Sequence, residues 1–245
     1  MNVSNLFITL LLAFSNPVCS HSQKLQTKTF YPKDSTVFNE QSDFDYSYGT
    51  KPYGKTTMII RASSRYGEFH FIFKKRSKAI EHFGGNYSDV YGIKTDGTWG
   101  VVRKDYNEPF TLSNHNLYAF VLLSDHGGTI EKVKFQDFGN EVYWPEFDYQ
   151  NCFVADENKD GIPEFYLTYN GESDGLDAKP YKQLVYTFTL KNKEFVKSKA
   201  TAYFPAGNEE DHYYEEFDAN WKALAVEIQR RSKAILTQNK SKNKK

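Results

Sequence analysis

Apolar and polar residues alternate along much of the chain with the two-residue period of a β-strand. In the clearest run, 68–74, Phe69, Phe71 and Phe73 alternate with His70 and Ile72. Such alternation is typical of a strand with one face on a core. Further strands are predicted at 56–61, 90–93, 99–103, 117–124, 129–138, 182–190 and 194–196.

Turn residues indicate how these strands are connected. The segment 95–98, Thr-Asp-Gly-Thr, predicts a hairpin between 90–93 and 99–103, and 125–128 predicts one between 117–124 and 129–138. The segment 77–83 predicts one or two helical turns before the glycine pair that follows it. An antiparallel connectivity is therefore expected.

The C-terminal part changes to a helical period. Asp218 is a suitable N-cap for a helix starting near Ala219, and Glu227 and Arg231 stand four apart, as in a helical ion pair. Beyond residue 237 the chain is Lys-rich, which predicts a disordered tail at 238–245. One apolar stripe at helical spacing predicts a face packed on the sheet: Trp221, Leu224, Ala225, Ile228, Ser232 and Ile235.

These patterns predict a mainly β fold, a single domain of antiparallel strands arranged as a sandwich or an open barrel, with a C-terminal α-helix packed on it. The expected organisation is an extended N-terminal arm at 21–53 and the β-rich domain with its helix at 54–237.

The first residues have the features of an export signal. An apolar run from Leu6 to Phe14 is too short for a membrane span, and Val18, Cys19 and Ser20 favour cleavage after Ser20. A lipid anchor at Cys19 is the alternative. We expect residues 1–20 to be a signal peptide and the protein to be exported to the periplasm, the cell surface or the medium. No other segment is apolar enough to cross a membrane.

Composition and charge indicate which partners and reactive groups the chain offers. The 245 residues are 39% hydrophobic and 17% aromatic, with a formal net charge of zero. A neutral chain does not favour nucleic acid as a partner. Cleavage after Ser20 leaves Cys152 as the one thiol, and its strand-like neighbours predict a buried, unreactive side chain.

The segment 156–164 has the spacing of a calcium loop. Asp156, Asn158 and Asp160 occupy alternate positions, and Gly161 permits the sharp turn that follows. Ca²⁺ takes about six to eight oxygens, so the segment predicts a Ca²⁺ site; the alternative is a polar surface turn without an ion. The predicted ligands are Asp156, Asn158, Asp160, the carbonyl of Ile162, and Glu164.

The loop departs from an EF-hand, since position 12 is Leu167 where a bidentate glutamate is required. Aromatic and β-branched residues on both sides indicate a strand–loop–strand element, which resembles the calcium loops of FG-GAP and integrin-type repeats. A second acidic turn at 171–177 could add Asp174 or Asp177 as a ligand, or remain a solvated loop.

A longer resemblance covers residues 116–186. It rests on Asn116–Ala119, Lys134–Phe138, the loop at 156–164, Ser173–Asp174 and Lys182–Tyr186. This order is similar to a family of exported bacterial proteins known as surface polysaccharide biosynthesis proteins, although the chain lacks that family's cysteine pair around Gly139 and Gly171. The resemblance implies a cell-envelope setting, with surface polysaccharide or envelope proteins as partners.

The sequence nominates no catalytic residues, because it contains no recognisable nucleophile elbow, zinc spacing or phosphate loop. We expect a non-catalytic calcium-binding protein of the envelope. Two alternatives remain: an enzyme acting on surface polysaccharide, and a glycan-binding module that stacks sugars on Tyr143, Trp144 and Tyr149.

Overall fold

The predicted mainly β fold is confirmed. A computed structural model describes residues 24–31, 50–83, 87–93, 99–106, 110–140, 143–173, 178–189, 194–205 and 212–242. It consists mostly of strands in two antiparallel sheets, with a C-terminal helix, and its described strands do not close into a barrel. The signal peptide at 1–20 and the possible ligands Asp174 and Asp177 lie outside the described residues.

The first sheet has five strands in the order β1-β2-β3-β6-β7. A separate hairpin of β4 and β5 lies between β3 and β6 in the chain. In the first sheet, the long strands β3 and β6 pair with each other over almost their whole length. The strands are β1 (Gln26–Phe30), β2 (Lys55–Ser64), β3 (Gly67–Phe83), β4 (Tyr87–Ile93), β5 (Trp99–Tyr106), β6 (Phe110–Asp125) and β7 (Gly128–Phe138).

The second sheet has six strands, in the order β13-β12-β11-β10-β8, with β9 also paired to β10. The strand β10 pairs with β11 on one side and with β8 and β9 on the other, and it continues from the predicted calcium loop. The strands are β8 (Tyr143–Phe147), β9 (Phe153–Ala155), β10 (Glu164–Ser173), β11 (Lys179–Thr189), β12 (Glu194–Phe204) and β13 (Tyr214–Phe217).

The main core lies between the two sheets, so the molecule is a β-sandwich. Alternation places Phe69, Phe71 and Phe73 of β3 on the inner face, as their spacing predicts. Phe165 of β10 meets Phe69 and Phe71 edge to face, with ring centroids 5.5 and 5.6 Å away. Leu167 lies in the same core, which explains why position 12 of the loop carries no ligand.

The C-terminal helix packs on the outer face of the second sheet, as predicted, but in two pieces: α1 (Ala219–Lys222) and α2 (Val226–Lys242). Asp218 caps α1 by accepting a hydrogen bond from the Trp221 N–H at 2.7 Å. The indole of Trp221 donates to Ser232, and Ser232 hydrogen bonds with Gln183 of β11. Four of the six residues of the predicted stripe are buried, and Leu224 and Ala225 are half-buried.

Two boundaries differ from the sequence-based predictions. The segment 77–83, for which helical turns are predicted, belongs to β3 because it pairs with residues 110–115 of β6. The helix α2 continues to Lys242, into the segment 238–245 predicted as a tail. Neither described helix combines the length and hydrophobicity needed to cross a bilayer.

Candidate metal site

The predicted calcium loop connects β9 to β10, two antiparallel neighbours in the second sheet. Two of its residues have left-handed backbone conformations, Lys159 with φ 61° and Gly161 with φ 79°. Glycine adopts this conformation without strain, so Gly161 permits the turn that the loop requires. A Cβ at Gly161 would lie 3.2 Å from Arg65 Nε, which leaves little space for a larger residue.

Hydrogen bonds within the loop hold its side chains towards its own backbone. Asp156 Oδ2 accepts from the Gly161 N–H at 3.0 Å, and Asp160 Oδ1 accepts from the Ile162 N–H at 2.7 Å. Asn158 Oδ1 accepts from the Asp160 N–H at 3.2 Å, and its Nδ2 donates to Asp160 Oδ2 at 2.8 Å. These are local bonds of the kind that Asp and Asn favour in turns.

Three carboxylates converge in this loop. Ligand oxygens of Asp156, Asp160 and Glu164 all lie within 4.8 Å of one another. Asp160 is exposed and Asp156 is half-buried, whereas Glu164 is only 2% exposed. Asn158 lies beside them through its bond to Asp160. The arrangement is therefore open to solvent on one side and closed on the Glu164 side.

The electrostatics of Glu164 are those of a buried acid among other acids. Burial, followed by the nearby carboxylates of Asp156, Asp160 and Glu157, raises the pKa of Glu164 to about 8, against a lowering by the Glu157 N–H. That N–H donates to Glu164 Oε2 at 2.8 Å. Asp156 Oδ1 is also buried, and no described residue gives it a hydrogen bond. A bound cation would compensate both groups.

Two arginines that the loop spacing does not predict attach this loop to the rest of the molecule. Arg65, in the turn between β2 and β3, donates to the Asp160 carbonyl at 2.8 Å. Arg231 of α2 lies with its Nε 3.4 Å from Glu157 Oε1 and its guanidinium over the Phe153 ring. Arg231 therefore pairs with Glu157 of the loop and not with Glu227, the partner that the helical spacing predicts. Both arginines are distant in sequence, so no local motif identifies them.

The three candidate stacking rings do not form one platform. Tyr143 donates to Asp137 Oδ2 at 3.0 Å, and the Lys182 amine lies over its ring. Tyr149 packs on the core ring Phe147, and burial raises its pKa to about 12. Trp144, on β8, is half-buried. None of the three lines the two clefts that open beside β12.

Ser124, beside His70, and Cys152 are side chains of nucleophilic type, and their described contacts do not include those of an activated nucleophile. His70 Nε2 lies 3.0 Å from Ser124 Oγ and 3.4 Å from Glu68 Oε1. Since both contacts involve the same ring nitrogen, Glu68 cannot orient the opposite N–H as the acid of a triad does. Burial raises the pKa of the Cys152 thiol, which keeps it protonated and unreactive.

Comparison of the chain with protein-family models, curated proteins and solved structures gives no match. The functional argument therefore rests on the geometry of the acidic loop itself.

Proposed function

We propose that this chain is a calcium-binding β-sandwich protein in which the ion has a structural rather than a catalytic role. The ion would be held by Asp156, Asn158, Asp160, the Ile162 carbonyl and Glu164. It would close the turn between β9 and β10, and through Arg65 and Arg231 it would fix this turn against the first sheet and α2.

One observation carries this proposal: the carboxylate of Glu164 is almost fully buried next to two other carboxylates. A buried carboxylate among like charges is destabilising unless it is protonated or paired with a cation. The two arginines nearby do not supply that charge, because their described contacts are to the Asp160 carbonyl and to Glu157. A metal ion at the centre of the acids would supply it.

The donor set favours calcium over other biological cations. All proposed ligands are oxygens, which suit hard cations and not the nitrogen and sulfur preference of zinc. The loop offers carboxylates, an amide and a carbonyl, a mixture that suits the high and flexible coordination number of Ca²⁺. Mg²⁺ demands a stricter octahedron and retains several waters.

The cell-envelope setting is part of the same proposal. It is supported by the signal-like residues 1–20 and by the family resemblance over 116–186. The chain departs from that family at Gly139 and Gly171, near which the family carries cysteines. An envelope location would also expose the loop to extracellular calcium, for which affinities of about 10⁻⁴–10⁻³ M suffice.

A direct calcium titration tests the proposal. We expect the wild type to bind one Ca²⁺ per chain and the Asp160→Ala variant to bind it at least about tenfold more weakly, because it loses one carboxylate ligand. Glu157→Gln is the matched control, since it removes one negative charge from the same loop at a side chain that faces Arg231. Calcium binding that is absent in the wild type, or equal in wild type and Asp160→Ala, would refute the proposed site.

A further inference from the structure

The edge of the first sheet at β7 lacks a partner strand among the described residues. β7 pairs with β6 on one side and ends the strand order on the other. An edge strand presents unpaired backbone N–H and C=O groups to whatever lies beside it. Two large apolar residues on this strand are also exposed, Ile130 at 42% and Phe138 at 51%. The unpaired edge is the feature to which a further strand could add.

A cleft of about 490 Å³ opens along this edge, between β7 and the inner face of the second sheet. Five consecutive residues of β7, 132–136, line it, so the middle part of the strand's backbone edge borders the cleft. The remaining lining residues belong to β10, β11 and β12. They include apolar side chains and rings of the sandwich core: Tyr169, Leu184, Tyr186 and Phe195.

The charge of the cleft is positive. Lys132 of β7 and Lys197 and Lys199 of β12 line it, and among the described residues none accepts a hydrogen bond from these three amines. The fourth lysine, Lys134, is held elsewhere, since its amine donates to the Tyr53 hydroxyl at 2.8 Å. No described acidic side chain lines the cleft.

We propose that β7 is a docking edge to which an extended peptide of a partner protein adds as a further strand. Side chains on one face of that peptide would enter the mouth of the sandwich, which Phe135 and Phe195 line together with Lys197 and Lys199. Because alternate side chains of a strand point to opposite faces, the entering side chains would be acidic and would meet Lys197 and Lys199, and the intervening apolar side chains would lie on the opposite face. Backbone hydrogen bonds supply affinity in such strand addition, and the alternating side chains supply specificity.

The positive cleft favours an acidic strand of another protein over a second copy of β7 as the occupant. A second copy of β7 would bring two lysines and two acids to the positive cleft, whereas an acidic strand would bring only charges that the cleft attracts. Lysines on an edge are a known protection against such self-pairing. They leave the edge accessible to a strand of opposite charge.

Two pairs of labelled peptides of about seven residues test this inference by fluorescence anisotropy. In the first pair, Val alternates with Glu in one peptide and with Lys in the other, and we expect only the Glu peptide to bind. The second pair carries backbone N-methyl groups on the Val residues or on the Glu residues of the binding peptide. Since N–H groups along a strand point alternately to opposite sides, one methylated peptide should lose binding and the other should retain it.

Charge reversal on the protein supplies the complementary test. Lys197→Glu/Lys199→Glu should weaken binding of the Glu peptide by at least about tenfold. The matched control is the exposed pair Lys51→Glu/Lys55→Glu, which does not line the cleft. It should leave the affinity for the Glu peptide unchanged. Equal melting temperatures would show that the variants remain folded.

Three results would overturn the inference. Binding of neither peptide would show that β7 is not a docking edge. Equal binding of both N-methylated peptides would show that no strand forms. Binding of an acidic oligosaccharide, with no binding of the Glu peptide, would assign the cleft to a glycan.

Discussion

Burial of the Glu164 carboxyl beside two other acids destabilises its ionised form. The folded chain responds by holding a proton at this position, because burial raises the pKa of Glu164 from 4.5 to about 8. The proposed ligand positions follow from the sequence, since contiguous residues at alternate positions determine the geometry of a short loop. The burial of Glu164 does not follow from the sequence, because it depends on how β10 sits in the sandwich.

This pKa shift predicts a pH dependence of stability. Between about pH 4.5 and 8 the metal-free folded state retains a proton that the unfolded chain releases, so stability should fall as pH rises through this window. Below it both states are protonated at Glu164, and above it both are ionised. Thermal melts in chelator across this range should show the decrease in the wild type.

The Glu164→Gln variant is the control for that prediction. Glutamine cannot ionise, so the part of the pH dependence that comes from this position should disappear. Identical slopes of melting temperature against pH in wild type and variant would contradict the assignment of the shift to Glu164.

At the scale of elements, alternation in the sequence predicts the strands well because each sandwich strand has one face in the core. It fails at 77–83, where the pairing with β6 decides the structure. It also predicts one helix where the chain forms two pieces, α1 and α2. The contacts of Arg65 and Arg231 with the loop could not be predicted, since each joins elements that are far apart in sequence.

The contact between α2 and the acidic loop at 156–164 predicts a specific variant effect. Arg231→Ala should lower the free energy of unfolding by about 1 kcal/mol, because it removes a partly exposed ion pair with Glu157 and a cation–π contact with Phe153. Urea denaturation measures this change. Arg230→Ala, at the neighbouring exposed position of the same helix, should change stability by less than about 0.5 kcal/mol. Equal losses in the two variants would contradict the proposed role of Arg231.

At the scale of the whole molecule, the two sheets depend on aromatic side chains that meet between them. Phe165 is fully buried and contacts rings of the opposite sheet. Phe165→Ala should therefore lower the free energy of unfolding by about 3–5 kcal/mol, which is measured by urea denaturation. Phe138→Ala, at an exposed ring of β7, should lower the free energy of unfolding far less. A small effect at Phe165 would indicate that the sheets are not packed as described.

The class of fold could be predicted from the sequence, and the order of its strands could not. Periodicity reports which residues face a core, but strand order depends on contacts between distant segments. For this reason the open edge at β7 and the lysines of β12 that face it appear only in the three-dimensional structure.

The most direct test of the central claim is a thermal melt of the purified protein in calcium and in chelator. An ion that binds only the folded state, at about 100-fold above its Kd, contributes about 2.7 kcal/mol. For a chain of this size that corresponds to a rise in melting temperature of roughly 5–10 °C. We expect this rise in the wild type and its absence in Asp156→Ala/Asp160→Ala. Equal melting temperatures of the wild type in calcium and in chelator would contradict a structural role for calcium.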